Sequence, residues 1–260
     1  MRHHAQGLSL TPGGRRVFNE AKRILGDADA LTDLASDITD RVHGPISIGA
    51  LTTIAPLVSA RFRRSFETAY PDARVTLHMG DQVALFRMLG RAEIDVAITY
   101  DMEIPMDIHF EKLISLATNV MLPIDHPMAQ QSDVSLRELE AEPMVLLDLP
   151  LSRDYFLSTL RMANVRPNIA ERTTDLSVVR ALVANGFGYS LVNIGTKQTH
   201  SPDGLELAIL PVREKVNPVT LGLATKQTVQ KSGVVAAFFD HARERIEEDV
   251  LLVKSGLPKP

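Results

Sequence analysis

GPISIGALTT, residues 44–53, sets a short apolar run, Ile46 to Leu51, between a Gly-Pro breaker and a pair of threonines. A six-residue apolar segment bounded by turn signals reads as a buried strand. Downstream, Thr53 to Ala69 carries Ile54, Leu57, Val58, Phe62 and Phe66 at helical spacing, and Arg74 to Met79 reads as a second strand. A helix over Gln82 to Arg91 and a buried strand at Ile94-Asp95-Val96-Ala97-Ile98 complete a β-α-β-α-β order. Such an order calls for a mainly parallel sheet with helices on both faces.

The rhythm then repeats. A short helix opens on the capping box Ser135-Leu136-Arg137-Glu138. After it come a strand from Met144 to Leu147, a helix from Arg153 to Ala163 and a strand from Asn168 to Arg172. A helix from Leu176 to Asn185, stopped by Gly186, leads to a strand from Tyr189 to Asn193. A last strand, Val219 to Ala224, and a closing helix, Gly233 to Glu248, are left over. The expected fold is therefore α/β and two-lobed: lobe one spans 44–120 and 217–260, and lobe two spans 121–216. The chain is expected to cross near Thr118 to Leu122 and Glu214 to Pro218, and its tail from Lys254 to fray.

Upstream of Pro45 the period changes. Residues 17–42 hold no proline and one glycine, Gly26, and read as a single helix ended by His43-Gly44-Pro45. Val17, Ala21, Ile24, Ala28, Leu31, Ala35 and Ile38 alternate at spacings of four and three, a heptad seam whose alanines let a partner helix approach closely. At ~1.5 Å per residue this is a rod of roughly 39 Å, and residues 17–43 are expected to be a dimerising linker. Before it, QGLSLTPGGRR (6–16) has the pattern of a strand, a turn and a helix start, and a lone alternation of that length needs a pairing partner. Residues 1–23 carry Arg2, Arg15, Arg16, Lys22 and Arg23 against Glu20 alone, although the whole chain has a net charge of −4. That asymmetry suits either a solvated basic end or one that faces nucleic acid, with Arg15 and Arg16 as phosphate contacts.

Chemistry is bounded mainly by what is missing. The 260 residues include no cysteine, which removes disulfides, thiolate metal sites and cysteine nucleophiles. No segment has the length and apolarity of a membrane span or a secretory leader, so a cytoplasmic protein that avoids the membrane is expected. Gly186-Phe187-Gly188 resembles the start of a dinucleotide fingerprint, but Leu191 stands at the third glycine and the segment leaves a helix to enter a strand. The eight histidines show no metal-binding spacing, and neither a metal nor another cofactor is expected. Catalysis is not expected either, although Asp81, Asp95, Asp101, Asp148 and Asp175 lie at or near strand ends.

The strand ends offer a binding cleft instead, because ligands of open parallel sheets sit beyond the carboxyl ends of the strands. The first lobe places Thr52, Thr53, Asp81, Gln82, Tyr100 and Asp101 there; the second places Asp148, Ser152, Arg153, Thr173, Thr174, Asp175 and Asn193. For Thr52, Ser152 and Thr174 the alternative is a helix N-cap.

These features resemble the LysR-type transcriptional regulators over essentially the whole length. The resemblance rests on Gly7 to Gly14 leading into the long helix, on Gly44 to Gly49, on Phe66-Glu67-Thr68-Ala69-Tyr70-Pro71, on Ile94 to Ile98 and on Val183 to Leu191. It implies an N-terminal winged helix-turn-helix, a dimerising linker helix and a two-lobed effector domain like the type 2 periplasmic binding proteins. On that alignment residues 1–16 are the remnant of a wing, and the recognition helix falls before Gly7, so this polypeptide is expected to give no sequence-specific DNA complex. The implied effector contacts are Thr52, Thr53, Asp81, Gln82, Tyr100 and Asp101 in lobe one and Asp148, Thr174 and Asn193 in lobe two. The implied partners are a small polar or anionic effector, a second copy in a homodimer or homotetramer, and DNA through the helix-turn-helix. Asp81, Asp101 and Asp148 suggest an effector with an amine or several hydroxyls beside its anionic group. A solute-binding protein of a transport system shares the lobes, but the heptad seam and the absence of a leader count against it. An enzyme on the same fold is the third class.

Overall fold

The computed structural model describes residues 2–4, 7–9, 11, 13–18, 20–21, 23–24, 42–193, 199–227 and 231–246. The first strand, β1 (Arg2–His4), pairs antiparallel with β2 (Gly7–Ser9), placing Arg2 opposite Ser9 and His4 opposite Gly7. The partner that the QGLSL strand needs is thus the segment just before it. Thr11 accepts the Gly14 N–H on its Oγ1 at 3.1 Å and the Arg15 N–H on its carbonyl at 2.8 Å, starting a helix, α1, over residues 13–18. This start lies ahead of Val17, where the heptad begins. Val17 and Ile24 are 71% and 56% exposed and Ala21 is exposed, so this part of the seam faces solvent in a single copy. Ala28, Leu31, Ala35 and Ile38 lie outside the described residues.

The sheet of the first lobe has the order β4-β3-β5-β12-β6, built from β3 (His43–Leu51), β4 (Asp72–Gly80), β5 (Val96–Tyr100), β6 (Ile108–Leu116) and β12 (Val219–Lys226). β3 lies parallel to β4 and β5, whereas β12 runs antiparallel to both β5 and β6. The sheet is mixed, not mainly parallel, because its fourth strand arrives from the other lobe. β3 also begins three residues earlier than its apolar run. Pro45 pairs with Arg74, while β5 joins only from Ile48, so the proline has a strand neighbour on one side only.

The helical run after β3 consists of α2 (Ala55–Leu57), a π turn (Val58–Phe62) and α3 (Arg63–Ala69), and α4 (Gln82–Gly90) follows β4. Ile46, Ile48, Ala50, Ile54, Val58, Phe62, Phe66, Leu85 and Ile98 are buried in one core, which α7 (Gly233–Ile246) closes with Phe238 and Phe239.

The second sheet is assembled from β8 (Pro143–Leu147) with parallel β9 (Asn168–Thr173), and from β7 (Asn119–Pro123) between antiparallel β10 (Ser190–Val192) and β11 (Leu207–Pro211). Tyr189 joins the halves: its N–H donates to the Pro143 carbonyl at 2.9 Å and its carbonyl accepts from the Val145 N–H at 2.8 Å. The resulting order, β9-β8-β10-β7-β11, repeats that of the first sheet strand for strand. In each, the reversed fourth strand is the one delivered by a crossing, β12 in the first and β7 in the second. The first crossing is just residues 117–118, since Asn119 to Leu122, expected as linker, already belongs to β7. A short 3-10 helix (Leu136–Leu139) carries the expected capping box, and α5 (Ser152–Met162) and α6 (Leu176–Ala184) cover opposite faces of the sheet.

Three strands escape the apolar pattern. β6 carries a half-buried Glu111 and an exposed Lys112 along the sheet margin, so its sequence has no continuous apolar run. β7 and β11 are short, and each falls where a linker is expected to begin or end.

Candidate functional site

The carboxyl end of β5 is anchored from α4. Gln82, 2% exposed in the first turn of that helix, donates from Nε2 to the Tyr100 carbonyl at 3.1 Å and to the Met102 carbonyl. Asp101 extends the β5–β12 ladder: its N–H donates to the Thr220 carbonyl at 3.0 Å and its Oδ1 accepts from the Thr220 N–H at 2.8 Å. Asp81 is the N-cap of α4 and accepts from the Ala84 N–H at 2.7 Å. These three residues hold the strand exit in place before any ligand arrives.

Thr53 and Tyr100 do meet. Burial pushes the Tyr100 phenol up, a hydrogen bond with Thr53 opposes that rise, and the phenol of Tyr155 reinforces it. Tyr155 belongs to α5 of the second lobe and its ring packs against the core of the first, so side chains of both lobes come together here. Thr52 is exposed and contributes its N–H to the Gly80 carbonyl at 3.0 Å.

On the second lobe, Asn193 is 8% exposed and aims Nδ2 at Thr118 Oγ1 (3.3 Å) and Tyr155 Oη (3.5 Å). Thr118 and Tyr155 are missing from the contacts expected from sequence. Thr118 lies in a crossing segment and Tyr155 in mid-helix, and neither position carries a strand-end signal. Thr174 is exposed after β9, and the cap of α6 is its neighbour Asp175, which accepts from the Ser177 N–H at 2.7 Å. Ser152 is likewise no cap: it opens α5 behind Leu151. Leu151 has φ 64° and ψ −47°, and Ser152 N–H donates to the Pro150 carbonyl at 2.8 Å. That is a γ-turn of the rare, strained kind, held at the start of a helix. For Thr52, α2 begins after Ile54, which provides no side-chain cap.

Asp148 is clamped by Arg153 at 3.0 Å on Oδ1 and by Arg172 at 3.3 Å on Oδ2. Desolvation pushes its carboxyl up, but the hydrogen bonds and charges of the two arginines outweigh this and hold it below its ordinary value. A depressed carboxyl lends stability that is complete above the unfolded value and lost as pH falls through the folded one. Asp148→Asn is therefore expected to flatten the fall in melting temperature below about pH 4, the ordinary aspartate range. Melting curves from pH 3 to 7 check this, and parallel acid limbs for both proteins would count against the clamp.

Arg15 and Arg16 are exposed on α1, where phosphates could reach them. Among the described residues, no group of three or more His, Asp or Glu side chains could hold a metal ion. No helix among them is long and apolar enough to cross a membrane.

Comparison with known proteins places this geometry. A family model described as the LysR substrate binding domain matches residues 39–247. The transcriptional regulator CysB of Haemophilus influenzae is 24% identical over 259 residues, covering 96% of this chain and 77% of the relative. The crystal structure of HinK, a LysR family transcriptional regulator from Pseudomonas aeruginosa, superposes with a TM-score of 0.76 at 32% identity, over 92% of this chain and 81% of that one. The effector-binding domain of QuiR in complex with shikimate shares the fold at 20% identity, with a TM-score of 0.69, over 81% of this chain and all of that one. CysB and HinK are regulators of transcription, which favours a regulatory role over the solute-binding one. The chain belongs to the LysR family of transcriptional regulators, and its two lobes form an effector-binding domain of the type 2 periplasmic-binding-protein-like fold.

Proposed function

We propose that the cleft between the lobes binds a small polar effector, and that Thr53, Tyr100 and Asn193, joined by Thr118 and Tyr155, form its floor. The carrying observation is the gathering of hydroxyl and amide groups from both lobes at Tyr100 and Tyr155, between two apolar cores. Thr52 and Thr174, exposed beyond the strand ends, are available to the effector from either side. Gln82, Asp81, Asp101 and Asp148 keep their place as candidate contacts. Each already has a protein partner, so their first duty is to shape the cleft, and the case for an amine on the effector rests on the hydroxyl floor alone.

In this reading an effector that favours one arrangement of the lobes shifts their population, and a homodimer or homotetramer joined along the heptad seam of residues 17–43 carries that shift to DNA-binding domains. The domain division that serves it is 1–16 as wing, 17–43 as linker and 44–260 as effector domain. The chain acts without a catalytic step and without a cofactor.

Native mass spectrometry of the purified chain, followed by melting curves with hydroxylated acids, plain carboxylates and amines, tests the proposal. A genuine effector at a hundredfold excess over its Kd should stabilise the protein by about 2.7 kcal/mol. Thr53→Val with Asn193→Leu should abolish that gain while the unliganded melting temperature stays within a few degrees. A gain that survives both substitutions would place the effector elsewhere.

A further inference from the structure

Tyr155 Oη lies 2.7 Å from Thr118 Oγ1, donates to the Asn217 carbonyl at 2.7 Å and faces Asn193 Nδ2 at 3.5 Å. Thr118 lies on the outgoing crossing between the lobes and Asn217 on the returning one, and the two crossings touch through the Val212 N–H and the Thr118 carbonyl at 3.4 Å. Proton direction follows from the partners. A carbonyl can only accept, so the single phenolic proton goes to Asn217, and Thr118 must donate to Tyr155 while its oxygen accepts from Asn193 at 3.3 Å. One hydroxyl thereby joins both crossings, a helix of lobe two and the end of β10. The ring below it packs against both cores, beside Phe156 at 5.4 Å.

We infer that Tyr155 is the latch of the interlobe hinge, a positioning residue that holds the two crossings at one mutual angle and so sets how far the cleft stands open before an effector enters. The inference goes beyond effector binding. It concerns the resting angle of the lobes and holds or fails without any ligand.

The physical reason is one of leverage. Two crossing segments with few contacts of their own permit rotation, and a bond network spanning both removes that freedom at small cost. Thr118 and Asn193, the side chains that meet this oxygen, are also in the proposed effector floor, so a ligand that competes for either would release the hinge at the moment of binding.

The chain has no cysteine, so paired labels can be introduced without background. Met79 on β4 and Met162 on α5, 62% and 64% exposed, sit on rigid elements of different lobes. In the Met79→Cys/Met162→Cys chain without ligand, spin-label distance measurement should give one narrow population. Tyr155→Phe, which removes only the hydroxyl, should shift its mean by several ångströms or add a second population. Thr118→Val should reproduce this, Thr118→Ser should not, and Tyr155→Phe with Thr118→Val should move the distance no further than either alone. Tyr189→Phe is the control: it removes a buried hydroxyl that meets no hydrogen-bond partner among the described residues and should leave the distribution unchanged. Parent-like distributions in both Tyr155→Phe and Thr118→Val overturn the latch. So does an equal shift in Tyr189→Phe, which would make the effect a general response to a lost buried hydroxyl.

Discussion

Gly188→Ala is expected to destabilise the second lobe by more than ~3 kcal/mol, from the sum of a disallowed backbone and an overlap that cannot relax. Gly188 has φ +139°, and a β carbon there would lie 2.1 Å from the Pro143 carbonyl oxygen and 2.6 Å from its carbon. Both atoms are backbone, and both belong to the seam where Tyr189 joins β8 to β10. Relief would require β8 to move away from Tyr189 and so open the sheet between its parallel and antiparallel halves. Gly186→Ala provides the comparison. Its φ of +80° lies close to the left-handed region, which costs alanine less than +139° does, and nothing lies within 4 Å of the added carbon, so about 1–2 kcal/mol is expected. Urea unfolding of the two variants sets modest strain alone against strong strain with collision. Equal midpoints would show that the seam gives way to accommodate a methyl group.

The same pair of glycines shows how far sequence reaches. Gly186-Phe187-Gly188 fails as a cofactor fingerprint on topology, and that exclusion is sound, but the reason for the second glycine is a carbonyl 45 residues upstream. No linear pattern displays it. Strands with apolar runs, β3, β5 and β8, are legible because burial on both faces demands such runs. β6 escapes because a sheet margin tolerates Glu111 and Lys112, and β7 and β11 because each starts or ends at a crossing. Caps are legible in kind and blurred in position. The Ser135 box stands where expected, whereas α6 is capped by Asp175 and not by its neighbour Thr174, and α2 and α5 start without a side-chain cap although Thr52 and Ser152 stand close by.

The cleft follows the same rule. Of the residues proposed for its floor, Thr53 and Asn193 stand out in the sequence because they follow strands and Tyr100 because it ends one, the place where an open sheet exposes polar groups. Tyr155 is hidden in Arg153-Asp154-Tyr155-Phe156, where it reads as one more aromatic on an amphipathic helix. Its partners lie 37, 38 and 62 residues away, and only the folded chain brings them to one oxygen. The aspartates show what the sequence leaves out: strand-end carboxylates look free, yet the cap of α4, the Thr220 backbone and the arginine clamp already engage them.

Phe66→Ala carries the other large expected effect, a loss of about 3–5 kcal/mol, the usual cost of emptying a fully buried phenylalanine site. The ring is 0% exposed and lies 5.0 Å from Tyr70, 5.2 Å from Phe238 and 5.4 Å from His241, centroid to centroid. Phe238 and His241 belong to α7, which the chain reaches only after building the whole second lobe, so this cluster fastens the returning end to the outgoing one. Phe62 stands beside Phe66 and meets Phe238 edge to face at 5.6 Å, and Ser65 Oγ lies 2.8 Å from His241 Nε2, so the helical face has polar as well as aromatic contacts. Emptying the Phe66 site removes the ring contacts to Phe238 and His241 and leaves α7 held more weakly against α3. The consequence is directional: amide exchange should accelerate along α3, α7 and β3 before it does so along α5 or β8, whose core is separate. Uniform acceleration across both lobes would mean that they unfold as one unit, and the hinge would then be no freer than the cores it connects.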